Sequence, residues 1–130
     1  MKKVFVNGYG SIGSRITSFL KDDSEISVIG VGKYSPDEKV DVAISRGLNV
    51  YVPENKLDAF SNFKIAGTIE SALDDCDLVI DASPGGNGYK NKKNLYEPKN
   101  IPAIYQGGES ISGSESVSDL LFNSRVNYDL

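Results

Sequence analysis

Residues 4–16 read VFVNGYGSIGSRI, and this stretch decides the fold. Its first three residues form the short apolar run of a strand that is buried on both faces of a sheet. Gly8, Gly10 and Gly13 follow at the spacing G-x-G-x-x-G. Glycines at this spacing let the backbone turn tightly and approach a phosphate, which free N–H groups of the following helix then bind. The stretch therefore predicts a phosphate-binding turn.

An amphipathic helix is predicted directly after the turn. The apolar residues that repeat at the spacing of one helical face are Ile12, Ile16, Phe19 and Leu20. Strand, glycines and helix thus occur in the order that a dinucleotide-binding turn requires. A plain glycine-rich connection between a strand and a helix is the alternative. In the dinucleotide-binding interpretation, the residues predicted to contact the cofactor are Gly8, Tyr9, Gly10, Ser11, Ile12 and Gly13.

The rest of the chain alternates between strand and helix patterns, which indicates an α/β fold. Short apolar runs predict strands at residues 4–6, 26–31, 49–52, 78–80 and 101–105, with a brief extended segment at 64–67. We predict a Rossmann-type, doubly wound and mostly parallel sheet with helices on both faces. The strand at 78–80 should return beside the first strand, so that the ligand crevice opens beyond these two strands.

Composition limits the class of protein. The chain has 130 residues, of which 39% are hydrophobic and 25% charged, as in an ordinary globular domain. Its net charge of -4 argues against a general affinity for nucleic acid or for an anionic membrane. No run approaches the roughly 20 apolar residues of a membrane span, and MKK at the start leads into a strand instead of a signal peptide. We expect a cytoplasmic protein.

Catalytic side chains are scarce. The chain has no histidine, which removes the usual general base near neutral pH, and a single cysteine, Cys76. One cysteine excludes an internal disulfide and a cysteine-rich metal site. Cys76 completes an apolar helical pattern with Ile69, Ala72 and Leu73, which predicts a buried and inert thiol. We therefore predict no catalytic and no metal-binding residue.

Lys33 occupies the position that decides between cofactors. In an NAD-binding fold, an acidic residue about 20 residues after the glycines accepts hydrogen bonds from the ribose 2′-hydroxyl. Here Lys33 stands at that place, and Tyr34 and Ser35 follow it. A cation with neighbouring hydroxyls favours a 2′-phosphate, so these three residues predict a preference for NADP over NAD. The alternative is a solvated lysine at the end of a strand.

Two further loops should face the same crevice. The fourth and fifth predicted strands each run into a glycine-rich loop, and the predicted cofactor contacts there are Ser83, Pro84, Gly85, Gln106 and Gly107. A glycine-rich surface turn is the alternative for the first of these loops. The basic run within residues 89–96 is interpreted as a solvated helix face, and nucleic acid binding is not expected. Between residues 110 and 118 every second residue is serine, a low-complexity pattern that predicts a mobile segment unless another segment covers it.

Several short segments, in order along the chain, match one family pattern. They are NGYGSIG (7–13), IGVGK (29–33), SP (35–36), YVP (51–53), AGTIE (66–70), QGGE (106–109), FNS (122–124) and NY (127–128). Together they resemble the N-terminal domain of archaeal-type phosphorylating glyceraldehyde-3-phosphate dehydrogenase. Because the matches keep their order over almost the whole chain, the resemblance is more specific than the glycine spacing alone.

The resemblance implies an NAD- or NADP-binding domain. In that family a second domain supplies a catalytic cysteine and a histidine, and an aldehyde is oxidised through a thiohemiacetal and an acyl-thioester. By the same resemblance, the glycine turn holds the pyrophosphate, Lys33 the 2′-phosphate, and the loops at Ser83 and Gln106 the rest of the cofactor. The sequence departs from the family at Tyr34, where threonine is usual, and at Ala82 with Ser83, which replace a threonine-rich pair.

Two functional hypotheses follow. The first is an NADP-preferring dinucleotide-binding domain that cannot oxidise an aldehyde alone. In it, residues 1–109 bind the cofactor and the serine-rich residues 110–130 lead toward an absent catalytic domain. That domain or a second copy of the chain would be the further partner. The second hypothesis is a free-standing nucleotide-binding regulatory module, or a degenerate remnant.

Overall fold

Six parallel strands form one sheet in the part of the chain that the structure describes. This structure, a computed structural model, describes residues 1–84 and 87–106. Its strands are β1 (Lys2–Asn7), β2 (Ile26–Gly32), β3 (Val50–Val52), β4 (Gly67–Thr68), β5 (Leu78–Asp81) and β6 (Ala103–Tyr105). Gly85, Gly107 and the serine-rich segment 110–130, which the sequence singled out, lie outside the described residues.

The strand order confirms the predicted Rossmann-type topology. The sheet runs β4-β3-β2-β1-β5-β6, and every neighbouring pair is parallel. The chain therefore builds outward from β1 in one direction, then returns to place β5 on the other side of β1. In a doubly wound sheet, this reversal opens a crevice at the carboxyl ends of the two strands.

Helices connect the strands, as the predicted alternation requires. They are α1 (Ser11–Lys21), α2 (Glu38–Ser45), α3 (Ile69–Leu73), α4 (Asn87–Asn91) and α5 (Glu97–Lys99). A 3₁₀ helix (Glu54–Phe60) follows β3, and a π-helical turn (Lys92–Tyr96) joins α4 to α5. Within residues 1–84 and 87–106, no helix combines the length and the apolar character needed to cross a bilayer.

Two hydrophobic layers cover the two faces of the sheet. Side chains alternate along β1, so Val4 and Val6 face one layer and Phe5 faces the other. The first layer contains Val40 of α2 and Phe60 of the 3₁₀ helix. The second contains Ile69, Ala72 and Leu73 of α3 with Tyr96 of the π-helical turn. Helices on both faces confirm the doubly wound arrangement.

The inward face of α1 differs from the predicted one. Ile12 is 51% exposed and Phe19 is 82% exposed, so the predicted four-residue apolar face is wrong at two positions. The fully buried residues of this helix are the small ones, Gly13 and Thr17. A Cβ on Gly13 would lie 1.8 Å from the carbonyl oxygen of Gly8, so the turn holds the helix against it along its small-residue face. Apolar spacing alone could not reveal this constraint.

Candidate functional site

The loops that follow four strands begin side by side at the carboxyl edge of the sheet. Asn7, the last residue of β1, pairs with Gly32 of β2 and with Asp81 of β5. Asp81 in turn pairs with Tyr105, the last residue of β6. Most of the residues predicted to contact a cofactor stand in these loops, and the topology therefore brings the predicted segments together at one edge.

The glycines of the turn after β1 have different structural roles. Gly8 has a φ of 131°, and a Cβ there would lie 2.3 Å from the carbonyl oxygen of Ala82. Gly8 therefore lets the turn pack against the loop after β5, as Gly13 lets α1 pack against the turn. Gly10 differs, because a Cβ there would meet none of the described residues within 4 Å. As far as residues 1–84 and 87–106 are concerned, there is room beside Gly10 for a ligand close to the backbone.

The start of α1 is suited to an anion. Gly10 is its N-cap residue, and no side chain of the described residues forms a cap there. The first turn contains no acidic residue. The N–H groups of Ser11, Ile12 and Gly13 have no partner within the helix, because the first N–H groups of any α-helix lack one. Uncapped N–H groups at the positive end of the helix dipole favour a bound phosphate.

The side chains of Tyr9 and Ile12 lie in different surroundings, since that of Tyr9 is buried and that of Ile12 is exposed. The Tyr9 side chain is buried in the first hydrophobic layer, and its hydroxyl accepts a hydrogen bond from Arg46 at 3.0 Å. Any contact of Tyr9 with a ligand in the crevice must therefore come from its backbone. Ile12 and Ser11 are exposed at the start of α1. Their contact with a cofactor stays a prediction.

Lys33 lies directly after β2, beside the glycine turn. Its side chain is only 8% exposed, so the alternative of a solvated lysine is wrong. The ammonium Nζ lies 2.9 Å from each carboxylate oxygen of Asp37. Partial burial alone would raise the pKa of Asp37, but hydrogen bonds from Lys33 and from the backbone of Lys39 outweigh it and lower this pKa. Asp37 is thus a carboxylate at neutral pH, and the pair is ionic.

The Tyr34 side chain points into the protein, and its contact with a cofactor stays a prediction. Its hydroxyl donates a hydrogen bond to the side-chain oxygen of Asn7 at 3.0 Å and accepts one from Asn91 at 3.0 Å. Burial raises its pKa to about 12. These two hydrogen bonds hold the Tyr34 hydroxyl in the protein interior. The Tyr34 carbonyl accepts a hydrogen bond from Lys56 at 2.9 Å, whereas Ser35 is exposed next to it.

A buried polar network lies under the crevice, and the sequence did not reveal it. Its centre is the carboxylate of Asp81, which is 1% exposed. The Tyr96 hydroxyl and the Asn91 amide donate to this carboxylate, and Asn7 donates to the Tyr96 oxygen at 2.7 Å. Burial, followed by the charge of Asp81, raises the pKa of Tyr96 far above its usual value. The signal that was available was a polar residue at the end of a buried strand, at Asn7 and Asp81.

The loop after β5 is tied to the same network. Ser83 is buried, and both its backbone N–H and its hydroxyl donate to the Asp81 carboxylate. Pro84 is exposed beyond it, and Gln106 is exposed after β6 with its N–H bonded to the Asp81 carbonyl at 2.8 Å. The structure therefore places Ser83 in the floor of the crevice and leaves Pro84 and Gln106 accessible.

Cys76 lies away from the crevice. It follows α3 instead of completing it, and it is half-buried, in place of the full burial that was predicted. Burial, then the neighbouring Asp77, raises the pKa of its thiol to about 11, which keeps it protonated at neutral pH. It lines a cavity of about 450 Å³ with Asn100 and Pro102, residues that precede β6. That cavity is therefore at the opposite edge of the sheet.

The fold and the glycine turn define the class of protein: a Rossmann-type dinucleotide-binding domain. Curated relatives then show what the chain is similar to. The chain is 42% identical to a glyceraldehyde-3-phosphate dehydrogenase of Methanothermus fervidus over 132 residues, which cover 99% of this chain and 38% of the relative. Glyceraldehyde-3-phosphate dehydrogenase 2 of Methanosarcina barkeri is 40% identical over 129 residues, which cover 98% and 37%. The enzyme of Thermococcus kodakarensis is 39% identical over 130 residues, with 98% and 37% covered.

These relatives confirm the resemblance that the sequence segments indicate. No family model matches the chain. The chain is nevertheless related, along nearly its whole length, to archaeal glyceraldehyde-3-phosphate dehydrogenases. It spans less than two fifths of the length of these relatives, as the covered shares of 37% and 38% state.

Proposed function

We propose that the chain binds a nicotinamide dinucleotide at the carboxyl edge of its sheet and prefers NADP to NAD. The observation that carries this proposal is the start of α1, where no described side chain caps the helix and no described residue lies within 4 Å of a Cβ placed on Gly10. The pyrophosphate would lie there, because this is the anion site that the backbone provides. The relatives are named as dehydrogenases, which supports a cofactor that carries hydride.

The remaining contacts follow from the loops at the same edge. Lys33 directly follows Gly32, which pairs with Asn7 at the end of β1, and it would attract the 2′-phosphate of NADP. The accessible Pro84 and Gln106, with Gly85 and Gly107, would line the nicotinamide half. A bound nicotinamide ring accepts or releases a hydride, while the residues of this chain hold and orient it.

Binding without catalysis is the expected behaviour of this chain. Cys76 lies at the opposite edge of the sheet with a protonated thiol, and the sequence contains no histidine to activate it. Oxidation of glyceraldehyde 3-phosphate is what the names of the relatives describe, and it would need groups that this chain does not supply. The cytoplasmic location and a partner domain or second copy remain predictions.

Calorimetric titration with NADP, NAD and coenzyme A tests the proposal. We expect both dinucleotides to bind, NADP more tightly, and coenzyme A not to bind. A Gly10→Val variant should lose little stability, because no described residue lies within 4 Å of the new Cβ, and should lose about tenfold or more in dinucleotide affinity. Equal binding of coenzyme A, or a Gly10→Val variant that binds like the wild type, would contradict the proposed site.

A further inference from the structure

We propose that Asp37 sets the cofactor preference of this site by holding Lys33 and opposing a 2′-phosphate. The inference rests on the proposed dinucleotide binding and deepens it. Lys33 alone predicts a strong preference for NADP. With Asp37 in place, the chain should accept NADP and NAD with a smaller difference in affinity, and Asp37 becomes the residue that determines this difference.

The ion pair is unequally exposed, and this decides which group a ligand meets. The Lys33 side chain is 8% exposed, whereas that of Asp37 is 40% exposed. The ammonium therefore lies beneath its partner, and the carboxylate is the member that solvent and ligands reach. A phosphate that approaches Lys33 must displace the carboxylate or lie beside it, and both arrangements bring negative charges together.

The same carboxylate can serve the other cofactor. A ribose 2′-hydroxyl donates well to a carboxylate at the end of the second strand, which is how an acidic residue there favours NAD. Asp37 is four residues beyond Lys33, yet its two oxygens contact the Lys33 ammonium. The fold thus brings a carboxylate into contact with the ammonium of the lysine that follows the second strand. NAD would use the carboxylate, and NADP would use the ammonium.

Asp37 is held in position by the start of α2. It is the N-cap residue of this helix, and its side chain accepts a hydrogen bond from the Lys39 N–H at 3.1 Å. Its own N–H donates to the Ser35 carbonyl at 3.0 Å. Because the backbone fixes it from both directions, the carboxylate cannot swing far from Lys33 without giving up the helix cap.

Asp37→Asn tests the negative charge of residue 37 independently of its role as a helix cap. Asparagine caps a helix as well as aspartate does, so the fold should be kept while the negative charge is lost. Asp37→Ser, a second neutral capping residue, guards against an effect that is peculiar to the amide. Glu38→Gln is the matched control, since it removes one exposed acidic charge from the next position, in the first turn of the same helix.

The experiment measures the Kd values for NADP and NAD by calorimetry on the full chain and its three variants. In Asp37→Asn and Asp37→Ser, the ratio of affinities should move toward NADP by about fivefold or more. It should change less than twofold, roughly, in Glu38→Gln. An unchanged ratio in both Asp37 variants, or an equal shift in Glu38→Gln, overturns the inference alone. Failure of every protein to bind either cofactor overturns the proposed function, and this inference with it.

Discussion

The turn after β1 and the loop after β2 lie side by side at one sheet edge, yet different interactions fix them. The turn is fixed by backbone contacts: Gly8 packs on Ala82, and Gly13 packs on Gly8. The loop is fixed by side chains, through the pair of Lys33 with Asp37 and the bonds of Tyr34 to Asn7 and Asn91. An approach as close as these, which leaves no room for a Cβ, requires glycine, and a glycine is visible in a sequence. A side-chain contact depends on partners that only the fold brings close.

The largest expected effect tests the backbone side of this comparison. Gly13→Ala should lower the free energy of unfolding by about 3 kcal/mol or more, because its Cβ would lie 1.8 Å from the Gly8 carbonyl oxygen. Gly47→Ala should cost about 1 kcal/mol, since Gly47 has a φ of 79° but a Cβ there would meet no described residue within 4 Å. Urea unfolding measures both free energies. If Gly13→Ala were as stable as Gly47→Ala, the close contact between Gly13 and Gly8 would contribute nothing to stability.

The next effect tests the side-chain network. Asp81→Asn should lower the free energy of unfolding by about 2 kcal/mol, because the two oxygens accept from separate pairs of donors and an amide leaves one pair without an acceptor. Asp77→Asn is the control: its exposed side chain accepts one bond from the Lys3 N–H, which an amide oxygen can also accept. Equal losses in the two variants would show that the buried network contributes nothing specific.

The same difference between backbone and side-chain contacts decides what could be predicted from the sequence. Local sequence patterns were enough to predict the strand order, the glycine turn and the positions of Lys33 and Ser83 at strand ends. The fold class is confirmed. The roles of Tyr34 and Asn7 were missed because their partners are distant: Tyr34 bonds Asn7 across 27 positions, and Asn7 bonds Tyr96 across 89. The Lys33–Asp37 pair is only four positions apart, but it crosses from a strand end into a helix cap, so no single periodic pattern contains it.

The smallest expected effect concerns α1, where a local pattern gave the wrong face. Phe19→Ser should change the free energy of unfolding by less than about 0.5 kcal/mol, because Phe19 is 82% exposed and serine has a similar helix propensity. Ile16→Ala is the contrast, since Ile16 packs against the first layer and its truncation should cost about 2 kcal/mol. Both substitutions remove a residue that the spacing assigned to one apolar face. If Phe19→Ser cost as much as Ile16→Ala in urea unfolding, the face predicted from spacing would be right.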